Sequence, residues 1–214
     1  MTSAPAPPRA SPAFRIAYPP SLAPFHVPLS TYISTHHPSG PYTGAATSAL
    51  VFDPSNRVLL LRRAAHDSMP GQWEPPGGAA DEEDGSLLVA VARELWEEAG
   101  LVASRVRRVV SEGAGMAPGS PITNRTGTVK WVKFGFEVEV APGEEVEIDP
   151  NEHDKFVWAT EEEVRDAVVG LNESGIGLTF GGTKEILLDA FRRRREEPLE
   201  EATGWAVKEA AVEV

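Results

Sequence analysis

The sequence lacks cysteine, and this absence excludes several kinds of site. Without a thiol among its 214 residues, the chain can form no disulfide, no cysteine-ligated zinc centre and no cysteine nucleophile. Long apolar runs are also missing, since no stretch approaches the roughly 20 residues of a membrane-spanning helix. We therefore expect no association with a membrane.

Positive charge is scarce. The chain carries 20 lysines and arginines against 32 acidic residues, which gives a net charge of -12. This balance opposes a protein that holds nucleic acid on a broad basic surface, so no stable nucleic-acid complex is expected. Small phosphorylated substrates remain compatible with it, because a bound metal ion can reverse the local field.

Acidic residues are absent before Asp53, in a segment rich in proline, alanine and serine. This composition predicts disorder over the first 15 or so residues, and docking of "SLAPFHVPLSTYI" as an extended strap. A mitochondrial presequence would need an amphipathic helix, which the prolines oppose. We therefore expect a cytoplasmic protein, with a presequence as the alternative.

The composition divides the chain into three parts: a partly disordered extension at 1–42, a domain at 43–197 and an acidic tail at 198–214. In the domain, "TSALVF" and "RVLLLRR" flank the turn signal "DPSN" and predict a hairpin. Further strands are expected at "RVRRVVSEG", "TVKWVKFGFEVEV" and "KFVWA", and a loop at "AGMAPGSPITNRTG". Helices are expected at "EEEVRDAVV", ending at Gly170, and at "TKEILLDAFRRRREE", while the tail should be loose or weakly helical. Strands interspersed with helices predict an α/β or α+β sandwich.

The segment "SLLVAVARELWEEAG" predicts an amphipathic helix that ends at Gly100. Its apolar residues form one stripe, and Glu94, Glu97 and Glu98 are neighbours on another side. Arg93 lies one turn before Glu97 and can pair with it. A solvated acidic surface is one explanation; a site for a hard divalent cation, which prefers oxygen ligands, is the other.

The context of these glutamates favours the cation. The stretch "PPGGAADEEDGSLLVAVARELWEEAGL" resembles the Nudix box, and the run Arg93 to Leu101 matches the second half of that box without a gap. The box covers Gly78 to Leu101, and a looser resemblance extends over about residues 44 to 195. The resemblance implies a Nudix-type α/β/α sandwich with a mixed β-sheet.

The same resemblance implies the chemistry. Nudix proteins typically hydrolyse a nucleoside diphosphate linked to another moiety, with Mg²⁺ or Mn²⁺ as the cofactor. Carried onto this chain, Glu97 and Glu98 would be metal ligands, and the Gly78 backbone carbonyl would add an oxygen. Glu94 would be a third ligand or a base, and Arg93 would orient the glutamates.

The spacer between Gly78 and Arg93 departs from the Nudix pattern by one residue. Counting back from Arg93 places Gly85 where the first glutamate of the box belongs, whereas counting forward from Gly78 reaches Asp84. Asp84 or Glu83 fills the place, or nothing does. The departure motivates an alternative: a catalytically weak or inactive nucleotide-binding or regulatory protein on the same fold.

A general base outside the box is expected in "NEHDKFVW". Glu152 is the leading candidate, because it precedes a predicted strand in the loop where some relatives carry a base or an extra ligand. An ordinary polar loop is the alternative. Phosphate contacts are expected from Arg62, Arg63, Lys130 or Lys133. Alternation along the strand sends Arg62 and Arg63 to opposite faces, so at most one of those two is expected to contribute. The sequence leaves the substrate and the oligomeric state open.

Overall fold

The computed structural model describes residues 12–38, 40, 42–123, 128, 130–197 and 205–211. Its strands are β1 (Ala13–Tyr18), β2 (Gly44–Val51), β3 (Val58–Arg63), β4 (Trp73–Glu74), β5 (Ala103–Val110), β6 (Ser120–Thr123), β7 (Lys130–Val140), β8 (His153–Ala159), β9 (Val168–Val169), β10 (Gly177–Leu178) and β11 (Ala206–Ala211). Its α-helices are α1 (Leu29–His36), α2 (Leu87–Ala99), α3 (Glu161–Asp166) and α4 (Gly181–Glu196).

The strands form two sheets. In the first, the order is β11-β1-β5-β7-β2, and β6 pairs with the start of β7. This sheet is mixed, because β7 runs parallel to β2 and antiparallel to β5. In the second sheet, the order is β8-β3-β4-β10-β9.

Helices cover both faces of the strands. Side chains of α2 share one hydrophobic core with alternate residues of β7, among them Phe134 and Phe136. Side chains of α4 share a second core with β3 and β10, and Gly135 of β7 lies against Ile186 of α4. This arrangement confirms the α/β/α sandwich with a mixed sheet. Within the described ranges, no helix is long and apolar enough to span a membrane.

The predicted hairpin of β2 and β3 is wrong. The turn forms, since the Asn56 amide donates to the Asp53 carbonyl at 2.9 Å, and a single bridge joins Phe52 to Val58. Beyond that bridge the strands separate into different sheets, because β2 finds β7 and β3 finds β8 as partners. Distant partners therefore override the local turn signal.

The terminal segments also differ from expectation. Ala13–Arg15, within the stretch predicted to be disordered, belongs to β1, where Phe14, Ile16 and Tyr18 alternate into the core. The expected strap is a 3-10 turn at Pro20–Phe25 followed by helix α1. The tail is neither loose nor helical over Ala206–Ala211, which pairs antiparallel with β1. Residues 1–11 lie outside the described ranges, and the division at 42 and 198 stays a prediction.

Two further boundaries need correction. Ser120–Thr123, expected to be part of a loop, forms β6 because the adjacent β7 offers an edge for pairing. Helix α3 ends at Asp166 rather than near Gly170, and Val168–Val169 instead pairs with β10. The capping box of Thr160 and Glu163 forms as predicted.

The contribution of β1 to the core can be tested by a matched pair of truncations. Phe14 is fully buried, so Phe14→Ala should lower the free energy of unfolding by about 3–5 kcal/mol. Phe156 is 44% exposed, and Phe156→Ala should cost about 1 kcal/mol or less. Urea unfolding of both variants measures the difference; equal effects would mean that β1 does not form part of the folded core.

Candidate functional site

The guanidinium of Arg93 is the centre of the acidic region on α2. It is 9% exposed and makes two hydrogen bonds to Asp84, at 2.7 Å from Nε and 3.0 Å from Nη2. Nη2 also donates to the Ala79 carbonyl at 2.8 Å. These contacts tie the helix to the glycine-rich loop that precedes it.

The same guanidinium organises two of the glutamates. Nη1 donates to Glu94 at 2.9 Å and to Glu97 at 2.8 Å, which confirms the predicted pairing with Glu97. Burial alone would lower the pKa of Arg93, but Asp84, Glu94 and Glu97 outweigh it and raise that pKa. Arg93 therefore remains charged and holds both carboxylates in place.

Asp84 takes the position of the acidic residue that the lengthened spacer between Gly78 and Arg93 left uncertain. It ends a 3-10 turn at Glu82–Asp84, and its side chain accepts the Asp81 amide at 2.9 Å. Gly85 follows with φ of 69°, a left-handed conformation that glycine adopts without strain. The extra residue thus closes a turn, and Asp84 rather than the exposed Glu83 faces Arg93.

Glu98 is the most deeply buried of the three glutamates on α2, at 4% exposed. Its carboxylate accepts the Gly77 amide at 2.8 Å. Burial raises the pKa of Glu98, and the neighbouring charges of Glu94 and Glu74 raise it further. Gly77 itself admits no side chain, because a Cβ there would lie 2.1 Å from the Thr47 carbonyl oxygen.

Gly78 lies directly against Glu94. A Cβ at this position would lie 2.7 Å from Glu94 Oε2, so glycine is required for the carboxylate to approach the loop. The Gly78 carbonyl accepts the Thr47 amide at 2.8 Å. A carbonyl oxygen has two lone pairs, so one remains for another partner.

The glutamates repel one another. Burial raises the pKa of Glu94 to about 7, with Glu97 and Glu152 adding to the rise and Arg93 opposing it. A carboxyl group with a raised pKa contributes stability below its ordinary pKa, and that contribution is lost as pH rises through about 7. Above this pH, the cluster carries unfavourable negative charge that a cation would neutralise.

The loop before β8 brings Glu152 to the box. Backbone amides of this loop bond to the carbonyls that lack helical partners at the end of α2. The Asp149 amide donates to the Glu98 carbonyl at 3.0 Å, and the Glu147 amide donates to the Ala99 carbonyl at 2.8 Å. One oxygen of Glu152, one oxygen of Glu98 and a ring nitrogen of His153 consequently lie within 4.8 Å of one another. The leading candidate from the sequence therefore lies beside the Nudix-box glutamates.

His153 enters this cluster through a bulge. The register of β3 and β8 shifts between Arg62 and Arg63, so that Arg63 faces His153. The imidazole is 0% exposed, and among the described residues neither ring nitrogen has a hydrogen-bond partner. Its Nε2 lies 3.8 Å from Glu74 Oε1, too far for a hydrogen bond.

Glu74 is a buried carboxylate that the sequence reading missed. It pairs with Arg63 and accepts the Thr179 hydroxyl at 3.1 Å. Burial raises its pKa, but His153, Lys133 and Arg63 together outweigh this and lower the pKa of Glu74 to about 2. The available signal was a lone acid in "GQWEPPGG", a stretch otherwise poor in charge.

The expected phosphate contacts are mostly engaged elsewhere. Arg62 pairs with Asp154 at 2.7 Å, and Arg63 pairs with Glu74 and Asp67. Lys133 is different, since its ammonium lies 5.6 Å from the ring centre of Phe180 in a cavity of about 210 Å³.

A wider cavity of about 880 Å³ opens elsewhere, between β1, β5 and the turn after β2. It contains none of the box carboxylates, and two of its arginines, Arg105 and Arg194, pair with Glu139 and Glu137. Its size alone does not make it the reaction site, because the titratable cluster lies elsewhere.

Replacing Asp84 tests whether it is the acidic partner of Arg93. Asp84→Asn leaves the buried guanidinium without its closest counter-charge and should lower the free energy of unfolding by about 2–4 kcal/mol. Glu83→Gln, one residue away on the surface, should change it by about 0.5 kcal/mol or less. Chemical denaturation compares the two, and a larger loss in the Glu83 variant would contradict the assignment.

Comparison with known proteins agrees with this geometry. Residues 42–174 match the family model for the NUDIX domain. A search of curated proteins found no match.

Solved structures share the fold. A MutT protein from Methanosarcina mazei is 23% identical with a TM-score of 0.50, over 74% of this chain and 99% of that one. The ORF135 protein of E. coli is 21% identical with a TM-score of 0.53, over 73% and 94%. RenU, a Nudix hydrolase from M. smegmatis, is 23% identical with a TM-score of 0.50, over 74% and 90%.

The family match spans more than half of the chain, and it contains the whole run from Gly78 to Leu101, with Arg93 between Asp84 and the glutamates. The chain therefore belongs to the Nudix hydrolase family.

Proposed function

We propose that this protein is a divalent-metal-dependent hydrolase that cleaves the diphosphate bond of a nucleoside diphosphate linked to another moiety. The observation that carries the proposal is the convergence of Glu98, from the last turn of α2, with Glu152, from the loop docked on the end of that helix. Glu94 adds a third partly buried carboxylate that interacts with both.

The oxygen donors fit Mg²⁺ or Mn²⁺. These ions take carboxylate and carbonyl oxygens and keep some of their waters for the substrate to replace. Glu94, Glu97 and Glu98 are the proposed ligands from α2, and the free lone pair of the Gly78 carbonyl is a fourth donor. The raised pKa values of Glu94 and Glu98 support the fit, because a cation is the missing counter-charge.

When bound, the metal neutralises diphosphate charge and lowers the pKa of an attacking water. The chain supplies position and orientation. Arg93 holds Glu94 and Glu97 against the loop, and the Gly77 amide holds Glu98. Arg93 is thus a positioning residue, since its guanidinium is occupied by protein groups.

Two residues are candidates for the general base. Glu94 has a pKa of about 7, which suits proton transfer near neutral pH. Glu152 is exposed and lies beside Glu98, where it can reach a water molecule on the solvent side. Either residue can instead ligate the metal, and kinetic measurements on variants separate the roles.

The cavity beside Lys133 is the proposed site for the rest of the substrate. Thr179 donates its hydroxyl hydrogen bond to Glu74, and the next residue, Phe180, lines this cavity. The ammonium of Lys133 suits a phosphate, and the partly exposed ring of Phe180 suits an aromatic base.

Activity on a panel of nucleoside diphosphate derivatives tests the proposal. With Mg²⁺ or Mn²⁺, we expect turnover of at least one compound, and Glu98→Gln should reduce it by on the order of 100-fold or more because a ligand charge is lost. Glu185→Gln, at an exposed position of α4, is the matched control and should retain full activity. Release of the two phosphate-bearing products is the readout.

Absence of turnover on the whole panel, with saturable metal binding retained, would favour the regulatory or nucleotide-binding alternative. Asp84 weighs against that alternative, because it supplies the acidic partner of Arg93 that the lengthened spacer called into question.

Comparison of Glu94→Gln with Glu152→Gln assigns the base. Loss of the base should lower kcat while leaving Mn²⁺ affinity within about twofold, whereas loss of a ligand should weaken Mn²⁺ binding by on the order of 10- to 100-fold. If both variants retain wild-type kcat, neither residue is the base.

A further inference from the structure

His153 is a fully buried imidazole whose nearest carboxylate, Glu74, lies beyond hydrogen-bond distance at 3.8 Å. Among the residues that the structure describes, no group hydrogen-bonds to either of its ring nitrogens. A buried polar group without a hydrogen-bond partner is unfavourable, so such a group calls for an explanation.

The surroundings of the ring point to a ligand. A ring nitrogen of His153 lies within 4.8 Å of a carboxylate oxygen from Glu98 and of another from Glu152. Two ligands of one octahedral ion lie about 3 Å apart when adjacent and about 4 Å apart when opposite, at bond lengths of about 2.1 Å. A small inward adjustment of three side chains therefore brings all three to a common ion.

The local backbone holds this constellation in place. The His153 amide donates to the Asp149 carbonyl at 2.9 Å, while the Asp149 amide donates to the Glu98 carbonyl at 3.0 Å. The Glu152 carbonyl in turn accepts the Ala64 amide at 2.8 Å. Main-chain bonds thus link all three candidate ligands to one another and to the core.

The geometry points to His153 as a nitrogen ligand of the divalent metal, together with Glu98 and Glu152. This assignment rests on the proposed function, and it extends that function from an all-oxygen site to a mixed site. Imidazole favours transition metals, whereas Mg²⁺ favours oxygen donors. Of the two ions named in the proposed function, Mn²⁺ should therefore bind more tightly than Mg²⁺.

The competing explanation is a structural ion pair with Glu74. The distance of 3.8 Å between His153 Nε2 and Glu74 Oε1 is compatible with a charge interaction. Glu74, however, also pairs with Arg63 and accepts the Thr179 hydroxyl, so its carboxylate has closer partners than the imidazole.

Pulsed electron paramagnetic resonance of Mn²⁺ bound to the full chain tests the assignment. Wild-type protein should show hyperfine coupling from a directly bound ¹⁴N nucleus, and labelling with ¹⁵N-histidine should shift that signal. His153→Gln should abolish the coupling and weaken Mn²⁺ binding by on the order of 10-fold or more, with a smaller loss for Mg²⁺. His66→Gln, an exposed histidine on a neighbouring loop, should retain the coupling.

The outcomes are distinguishable even if His153→Gln does not fold, because the labelling experiment uses the wild-type chain. Mn²⁺ bound in a Glu98-dependent manner without nitrogen coupling would overturn the role of His153 and leave the proposed function intact. No saturable Mn²⁺ binding to the wild-type chain would overturn both. Coupling that persists in a folded His153→Gln variant would assign the nitrogen to another residue and reject the inference.

Discussion

The burial of Arg93 among carboxylates is the interaction on which the rest of the site depends. A desolvated guanidinium needs negative counter-charge. Here it comes from Asp84, which precedes Arg93 in the sequence, and from Glu94 and Glu97, which follow it. Because Asp84 precedes α2 and the glutamates lie on it, the guanidinium fixes the helix relative to the preceding loop. That loop then lies close enough for the Gly77 amide to reach Glu98.

The opposite end of α2 is equally constrained. Gly100 ends the helix in a left-handed conformation, and the carbonyls that lack helical partners accept amides from the loop before β8. The ordinary requirement to satisfy a helix terminus therefore also brings Glu152 and His153 next to Glu98. Structural and proposed catalytic demands are met by the same backbone hydrogen bonds.

Much of this could be predicted from local sequence patterns. The 3.6-residue period revealed α2 and the clustering of its glutamates, and the alternation of β7 revealed a long strand. The pairing of β1 with β11 joins segments almost 200 residues apart, and no local pattern encodes it. The separation of β2 from β3 likewise depends on which distant strand each one meets.

The candidate site shows the same division between local and distant information. The ion pair between Arg93 and Glu97 follows from helical spacing. Which acid of the preceding loop pairs with Arg93, Asp84 rather than Glu83, depends on the left-handed turn at Gly85. The burial of His153 depends on a bulge in β8 that pairing geometry alone creates. The place of Glu74 in the site could not be predicted from the sequence, because its contacts with Arg63 and Thr179 join distant parts of the chain.

The central claim is that the buried carboxylates are held in a repulsive arrangement that a divalent cation relieves. Thermal unfolding at pH 8, with a chelator and then with Mn²⁺, tests it most directly in the wild type and in Glu98→Gln. Burial and neighbouring carboxylates raise the pKa of Glu98, so its ionisable carboxyl lowers the stability of the metal-free protein at alkaline pH, and the variant should melt a few degrees higher than wild type in chelator. Mn²⁺ should then stabilise the wild type more than the variant. Equal melting temperatures in chelator, with no response of the wild type to Mn²⁺, would contradict the account.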